Sequence, residues 1–348
     1  MAHSDFLPTF GGTLNPFTMK RPSKKWATII SLALIALLGA VFYLMTYGTS
    51  SVAGEELFKK AQKLEKKGQI AEAADAYKKA ARMGNAAAQH AWGMLLFEGK
   101  GMTQNQTEAV KWFRKSAEQG NTQGALALGN CYYYGEGIPK DYTQAVALYT
   151  KAAEAGLPEA QFTLAVCYER GYGVEQSSVM AAAWYAKAAL QGNELAQYNL
   201  AVCYSQGEGF DHDYEQAFVW YEKAAQQGYG LAQYNLAVCY ELGLGVAQDP
   251  AKAIEWYKKA AAQGDARAQY NLGVYYEDGF GVEKNDSIAI EWYKQAATRG
   301  YPEAQYRLAL CYSRGLGVDK DKAQADSLLK EAAEMGHVEA QEATGMTD

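Results

Sequence analysis

From residue 85 onward, apolar and polar positions alternate with two nested periods. Within Asn193–Gly228, Ala196, Leu200, Cys203 and Tyr204 fall at helical spacing, and Gly207 closes the run. Gly207 and Gly209 then mark a stop and a tight turn. A second helical run follows, with Ala217, Trp220, Tyr221, Ala224 and Ala225, closed by Gly228. The longer period is 36 residues. Seven copies begin at Asn85, Asn121, Leu157, Asn193, Tyr229, Asp265 and Tyr301 and align through Gly336 without one insertion or deletion. So constant a period predicts a repeat array in which each unit touches mainly its neighbours. One pair of helices cannot bury both its apolar stripes, so stacking must supply the core.

The residue types fit that packing. Alanines such as Ala196, Ala224 and Ala225 allow close approach, while Leu200, Tyr204, Trp220 and Tyr221 fill the spaces between helices. Asp249-Pro250 places an N-cap candidate before proline at a first helical position. The paired glycines resemble part of a phosphate-binding loop, but they follow a helix and no strand precedes them. They read as devices for backbone freedom.

The recurring pattern is Ala-x-x-x-Leu-Ala/Gly-x-x-Tyr-x-x-Gly-x-Gly-Val, then Lys-Ala-x-x-Trp-Tyr-x-Lys-Ala-Ala-x-x-Gly. In the copy from Asp265 it is carried by Ala268, Leu272, Gly273, Tyr276, Gly279, Gly281 and Val282. Trp292, Tyr293, Lys294, Ala296, Ala297 and Gly300 complete that copy. These residues resemble the Sel-one-like repeat family, a relative of the tetratricopeptide repeat, over most of the chain. The resemblance implies an all-α, right-handed α-solenoid acting as an adaptor or scaffold in bacterial envelopes, host interaction or membrane quality control. It implies no enzymatic activity and no shared catalytic residue.

Outside the array the composition changes. Residues 1–25 carry Gly11-Gly12, little periodicity and a closing basic cluster of Lys20, Arg21, Lys24 and Lys25, as in a disordered tail on the cytoplasmic side. Trp26–Tyr47 is a run of 22 uncharged residues. At ~1.5 Å per residue it reaches ~33 Å, enough to cross a hydrocarbon core of ~30 Å. Trp26, Tyr43 and Tyr47 suit the two interfaces. Ser51-Val52-Ala53 offers a cleavage pattern, but the apolar run exceeds the usual signal-peptide core. The expectation is therefore one uncleaved transmembrane signal anchor preceding the solenoid. The basic cluster orients its N-terminus to the cytoplasm. The repeats then lie outside, in a bacterial periplasm more than in a eukaryotic lumen. Residues 48–54 read as a linker and 55–84 as a capping helical hairpin. Residues 85–336 are the seven repeats, and 337–348 a C-terminal capping helix. Lys59, Lys60, Lys63, Lys66 and Lys67 give the hairpin a solvated outer face.

Net charge is −6 with both signs mixed through the repeats, so no basic stripe points to nucleic acid. The five cysteines, Cys131, Cys167, Cys203, Cys239 and Cys311, share one repeat position. Neighbouring copies should lie one repeat apart, ~10 Å, beyond the ~7 Å Cα limit for a bridge, so free buried thiols are expected. Family members with disulfide-braced repeats place two cysteines in each unit, and this chain departs from that pattern. His3, His90, His212 and His337 form no metal-ligand spacing, and no cofactor is expected. Asn105-Gln-Thr107 and Asn285-Asp-Ser287 match a glycosylation pattern short enough to arise by chance.

A partner surface can be read from the face opposite Leu200. Tyr198 and Val202 lie there, where a surface helix would be polar. Phe162, Tyr234, Tyr270 and Tyr306 hold the place of Tyr198, while Val166, Val238, Val274 and Leu310 hold that of Val202. His90 and Leu126 interrupt the ladder in the earlier units. The side chains either pack against the next repeat or line a groove. By resemblance to tetratricopeptide arrays, this face would be the concave one. Phe162, Tyr198, Tyr234, Tyr270 and Tyr306, with Val202, Val238 and Val274, are therefore the expected contacts for a protein or peptide partner. The alternative partner is a glycan or peptidoglycan fragment stacked on exposed tyrosines.

Overall fold

The computed structural model describes residues 51–346. The basic tail and the apolar run Trp26–Tyr47 lie outside the described residues. Among those that are described, no helix is long and apolar enough to cross a membrane, and all regular structure is helical. The chain divides into two compact units, one ending at Asn85 and the other beginning at Ala86.

In the first unit, helix spans residues 51–66 (α1), and α2 is Ile70–Arg82. The turn between them places Gly68 at φ 76°, a left-handed conformation that glycine adopts without a Cβ penalty. The linker expected over 48–54 is corrected here, because residues 51–54 are already helical. Gly54 is buried, with room for a Cβ only 3.5 Å from that of Met83 and 3.6 Å from that of Asn85. A Cβ there would make only ordinary contacts, so Gly54 is a buried small residue inside the hairpin. Tyr77 Oη donates to Glu65 Oε2 at 2.6 Å across the same pair of helices.

The second unit repeats one hairpin. Its first helices are α3 (Ala86–Glu98), α5 (Thr122–Tyr134), α7 (Pro158–Arg170), α9 (Glu194–Gln206), α11 (Gly230–Leu242), α13 (Ala266–Asp278) and α15 (Pro302–Arg314). Its second helices are α4 (Gln106–Glu118), α6 (Tyr142–Glu154), α8 (Ser178–Leu190), α10 (Tyr214–Gln226), α12 (Pro250–Ala262), α14 (Asp286–Thr298) and α16 (Lys322–Glu334). A short α17 (Val338–Thr344) follows. Every helix of this unit before α17 has 13 residues, so the sequence period is also the structural one. Within this unit, from α3 to α17, each helix packs on its neighbours in sequence.

Local chemistry fixes these boundaries. The second helices open on side-chain caps, such as Asp249 Oδ1 accepting the Lys252 N–H at 3.1 Å. Asn105 and Asn285 serve the same purpose, so both glycosylation matches are helix caps. The first helices end on a left-handed glycine, as Gly243 does at φ 70°, ψ 36°. Inside, Leu164, Leu200, Leu236 and Leu272 and the rings of Tyr149, Tyr185, Tyr257 and Tyr293 are all fully buried in a core rich in alanine. The Trp-x-x-Lys spacing has its own reason. Lys187, Lys223 and Lys259 lie 3.7, 3.8 and 3.5 Å from the centroids of Trp184, Trp220 and Trp256, covering the indole one helical turn back.

Candidate partner-binding face

Tyrosines of the second helices anchor the first helices from behind. Tyr185 Oη donates to Glu169 Oε2 at 2.5 Å. Tyr257 and Tyr293 donate to Glu241 and Glu277 in the same way. Burial first, and then the neighbouring carboxylate, push these phenols far above their ordinary range, so each remains a donor. In the fourth unit Ser205 takes the place of the carboxylate, 3.3 Å from Tyr221 Oη.

The ladder residues stand on this layer. Phe162, Tyr198, Tyr234, Tyr270 and Tyr306, and Val202, Val238 and Val274, are all half-buried. Each of the first four rings packs on the anchoring tyrosine of its own hairpin: Phe162 on Tyr185, Tyr198 on Tyr221, Tyr234 on Tyr257 and Tyr270 on Tyr293, at 5.7–5.9 Å. The next unit covers the other side. Tyr198 meets Tyr229 at 5.1 Å, Tyr270 meets Tyr301 at 5.4 Å, and Tyr306 stacks on His337 at 4.5 Å. Arg267, clamped by Asp265, lies 4.0 Å from the Tyr234 centroid. Both readings of the ladder therefore have a physical basis. The rings pack between repeats, and they keep part of their surface open.

One class of residue beside the ladder escaped the pattern reading. Asn199, Asn235 and Asn271 are half-buried at one repeat position next to the tyrosines, and the exposed Arg307 holds that place in the last full unit. Their recurrence at the 36-residue period was the available signal. The face thus offers carboxamides as well as rings. Both can serve an extended chain, the first through its backbone and the second through its side chains.

A second omission is internal. Gln161, Gln197, Gln233 and Gln269 are buried at the interface between hairpins. Gln197 Nε2 donates to the Ala189 carbonyl of the preceding hairpin at 3.1 Å, and its Oε1 accepts from Gln227 Nε2 at 2.8 Å. Gln161 and Gln191, and Gln233 and Gln263, form the same pair. Where Ala125 and Ala155 replace the two glutamines, a cavity of ≈ 230 Å³ remains.

Cys131, Cys167, Cys203, Cys239 and Cys311 are free and buried. Burial pushes the thiols of Cys131 and Cys239 up to about 12 and those of Cys167, Cys203 and Cys311 up to about 11, so they are inert packing groups at neutral pH. No group of three or more metal-ligating side chains occurs among the described residues.

The Sel1 repeat profile matches seven times, at residues 86–121, 122–157, 158–193, 195–229, 230–265, 266–301 and 302–337. Two solved structures are similar over nearly the whole array. A protective antigen present in uropathogenic Escherichia coli strains, displaying an SLR fold, is 34% identical with a TM-score of 0.76. The match covers 84% of this chain and 66% of that one, so this chain spans slightly less than two-thirds of its length. A Sel1 repeat protein from Oxalobacter formigenes is 32% identical with a TM-score of 0.64, covering 88% of this chain and 90% of that one. Among curated proteins, none matches.

Proposed function

Because the chain belongs to the Sel1 repeat family, whose members are generally protein–protein interaction scaffolds, we propose that its array grips an extended protein segment. The segment lies along the concave face formed by the first helices. The observation that carries this reading is the unbroken row Phe162, Tyr198, Tyr234, Tyr270 and Tyr306, half-buried and flanked by Asn199, Asn235 and Asn271. Such a row repeats with the helix spacing of the array, which suits an extended chain better than a compact ligand.

Affinity capture from an envelope extract tests it. Tyr234→Ala with Tyr270→Ala should reduce the captured partner at least ~10-fold, the equivalent of ~1.4 kcal/mol. Because both rings also pack against Tyr257 and Tyr293, circular dichroism must show an intact array in the same variant. Full capture by the folded variant would rule the face out. An unfolded array would make the rings core instead.

The membrane placement is part of the same proposal. The uncharged stretch Trp26–Tyr47 anchors the chain with its N-terminus in the cytoplasm, and the repeats face the periplasm of a bacterial inner membrane. Support comes from the length of the stretch and from the basic cluster Lys20–Lys25 on one flank only. Protease added to spheroplasts should degrade the repeats and spare an N-terminal tag. Protected repeats would reverse the orientation.

A further inference from the structure

A groove of ≈ 580 Å³ opens where α7, α8 and α9 meet. Two residues set it apart from the later junctions of the array. At the place of Ala182 the other second helices of the array carry Val110, Val146, Phe218, Ile254 and Ile290, with Asp326 in the last. At the place of Glu208 the three later turns carry Leu244, Phe280 and Leu316. In the equivalent junction lined by Ile290 and Leu316 only ≈ 60 Å³ remains. The groove is a property of this junction and not of the repeat.

Its polar groups are unevenly matched. Glu169 is occupied, with Oε2 taking the Tyr185 hydroxyl at 2.5 Å and Oε1 lying 3.2 Å from Arg170 Nε. Arg170 thereby offsets the charge of Glu169. Gln176 Nε2 donates to the Glu169 main-chain carbonyl at 2.8 Å, which leaves its Oε1 as an acceptor. Glu208 forms no ion pair among the described residues, and Asn199 adds another carbonyl oxygen to the lining. With Glu169 offset by Arg170, the groove carries one uncompensated negative charge, on Glu208, with the carbonyl oxygens of Gln176 and Asn199 as acceptors beside the N–H groups of Asn199 and Gln206. Ala181, Val202 and Cys203 supply an apolar wall beside them.

We propose that this groove takes an arginine side chain of the bound segment. Its alkyl stem lies against Val202 and Ala181, and its guanidinium faces Glu208, Gln176 and Asn199. A guanidinium brings five N–H donors in a fixed plane, which suits several separated acceptors better than the compact ammonium of lysine. The inference rests on the groove-binding reading above, because Asn199 and Val202 belong both to the partner face and to this junction.

Panning the full chain against a phage library of random dodecapeptides tests it. The enriched peptides should share an arginine at one fixed place. In a synthetic consensus peptide, replacing that arginine with citrulline should weaken binding ~10-fold, since a charged partner of Glu208 is lost. On Glu208→Leu, or on Ala182→Ile as a second variant, the same replacement should change little. Each variant residue already stands at the equivalent place elsewhere in the array, so the fold should accept it. Failure to enrich any peptide would sink the groove reading itself. A consensus without arginine, or an equal citrulline effect on the parent and both variants, overturns this inference and leaves that reading standing.

Discussion

Gly245→Ala is expected to destabilise its region of the array by ~2–5 kcal/mol, and Gly243→Ala by only ~1–2 kcal/mol. Both glycines are left-handed, at φ 69° and 70°, so each substitution carries the strain of placing a Cβ there. They differ in what surrounds them. A Cβ at Gly243 would lie 3.5 Å from Gln248 Cβ, an ordinary contact. At Gly245 it would overlap the Tyr214 carbonyl and stand 2.7 Å from the Glu215 nitrogen. From Gly137 onward, the second glycine of each turn thus seats one hairpin on the start of the preceding hairpin's second helix. Gly209 on Ser178 and Gly281 on Pro250 repeat the contact. Urea unfolding with hydrogen exchange should find the loss concentrated in α10–α12, because stability in a solenoid is roughly a sum over neighbours. Equal effects of the two substitutions would mean that the turn does not seat there.

Gln233→Leu should cost ~1–3 kcal/mol, the range for breaking a buried hydrogen-bonded pair. Its Nε2 reaches the Ala225 carbonyl at 3.3 Å, and its Oε1 receives Gln263 Nε2 at 2.9 Å. Leucine fills similar space but leaves Gln263 without that acceptor. Gln269→Leu should cost less. The position equivalent to Gln263 is Arg299, and Gln269 Oε1 is buried without a partner. Removing an acceptor that is already unsatisfied recovers part of the loss. By the same reasoning Arg299→Gln should raise the melting midpoint by restoring the pair. The explanation fails if Gln269→Leu proves as damaging as Gln233→Leu, or if Arg299→Gln lowers the midpoint.

The sequence by itself determined the helices, their hairpin pairing and the 36-residue register. These depend on short-range chemistry: apolar spacing along one helix, an Asp or Asn at its start, a glycine at its end. A residue such as Asp249 or Gly243 acts on backbone within four residues of itself, so its neighbours in the sequence suffice to interpret it. Buried free thiols were also legible, because repeat spacing bounds the distance between equivalent positions. What only the tertiary structure decided involves partners a hairpin or more away. Gln197 stands among polar and apolar letters like any surface residue, and only Gln227 and the Ala189 carbonyl make it an interior one. The ladder rings could be core or surface until Tyr221, Tyr229 and their equivalents were seen to cover part of each. Ala182 and Glu208 are unremarkable letters 26 positions apart, and only the stack brings them to the junction that holds the groove. A side chain's type gives its capacity to bond or fill space. Whether that capacity is met depends on the residue the neighbouring helix brings to it, and that is a property of the stack.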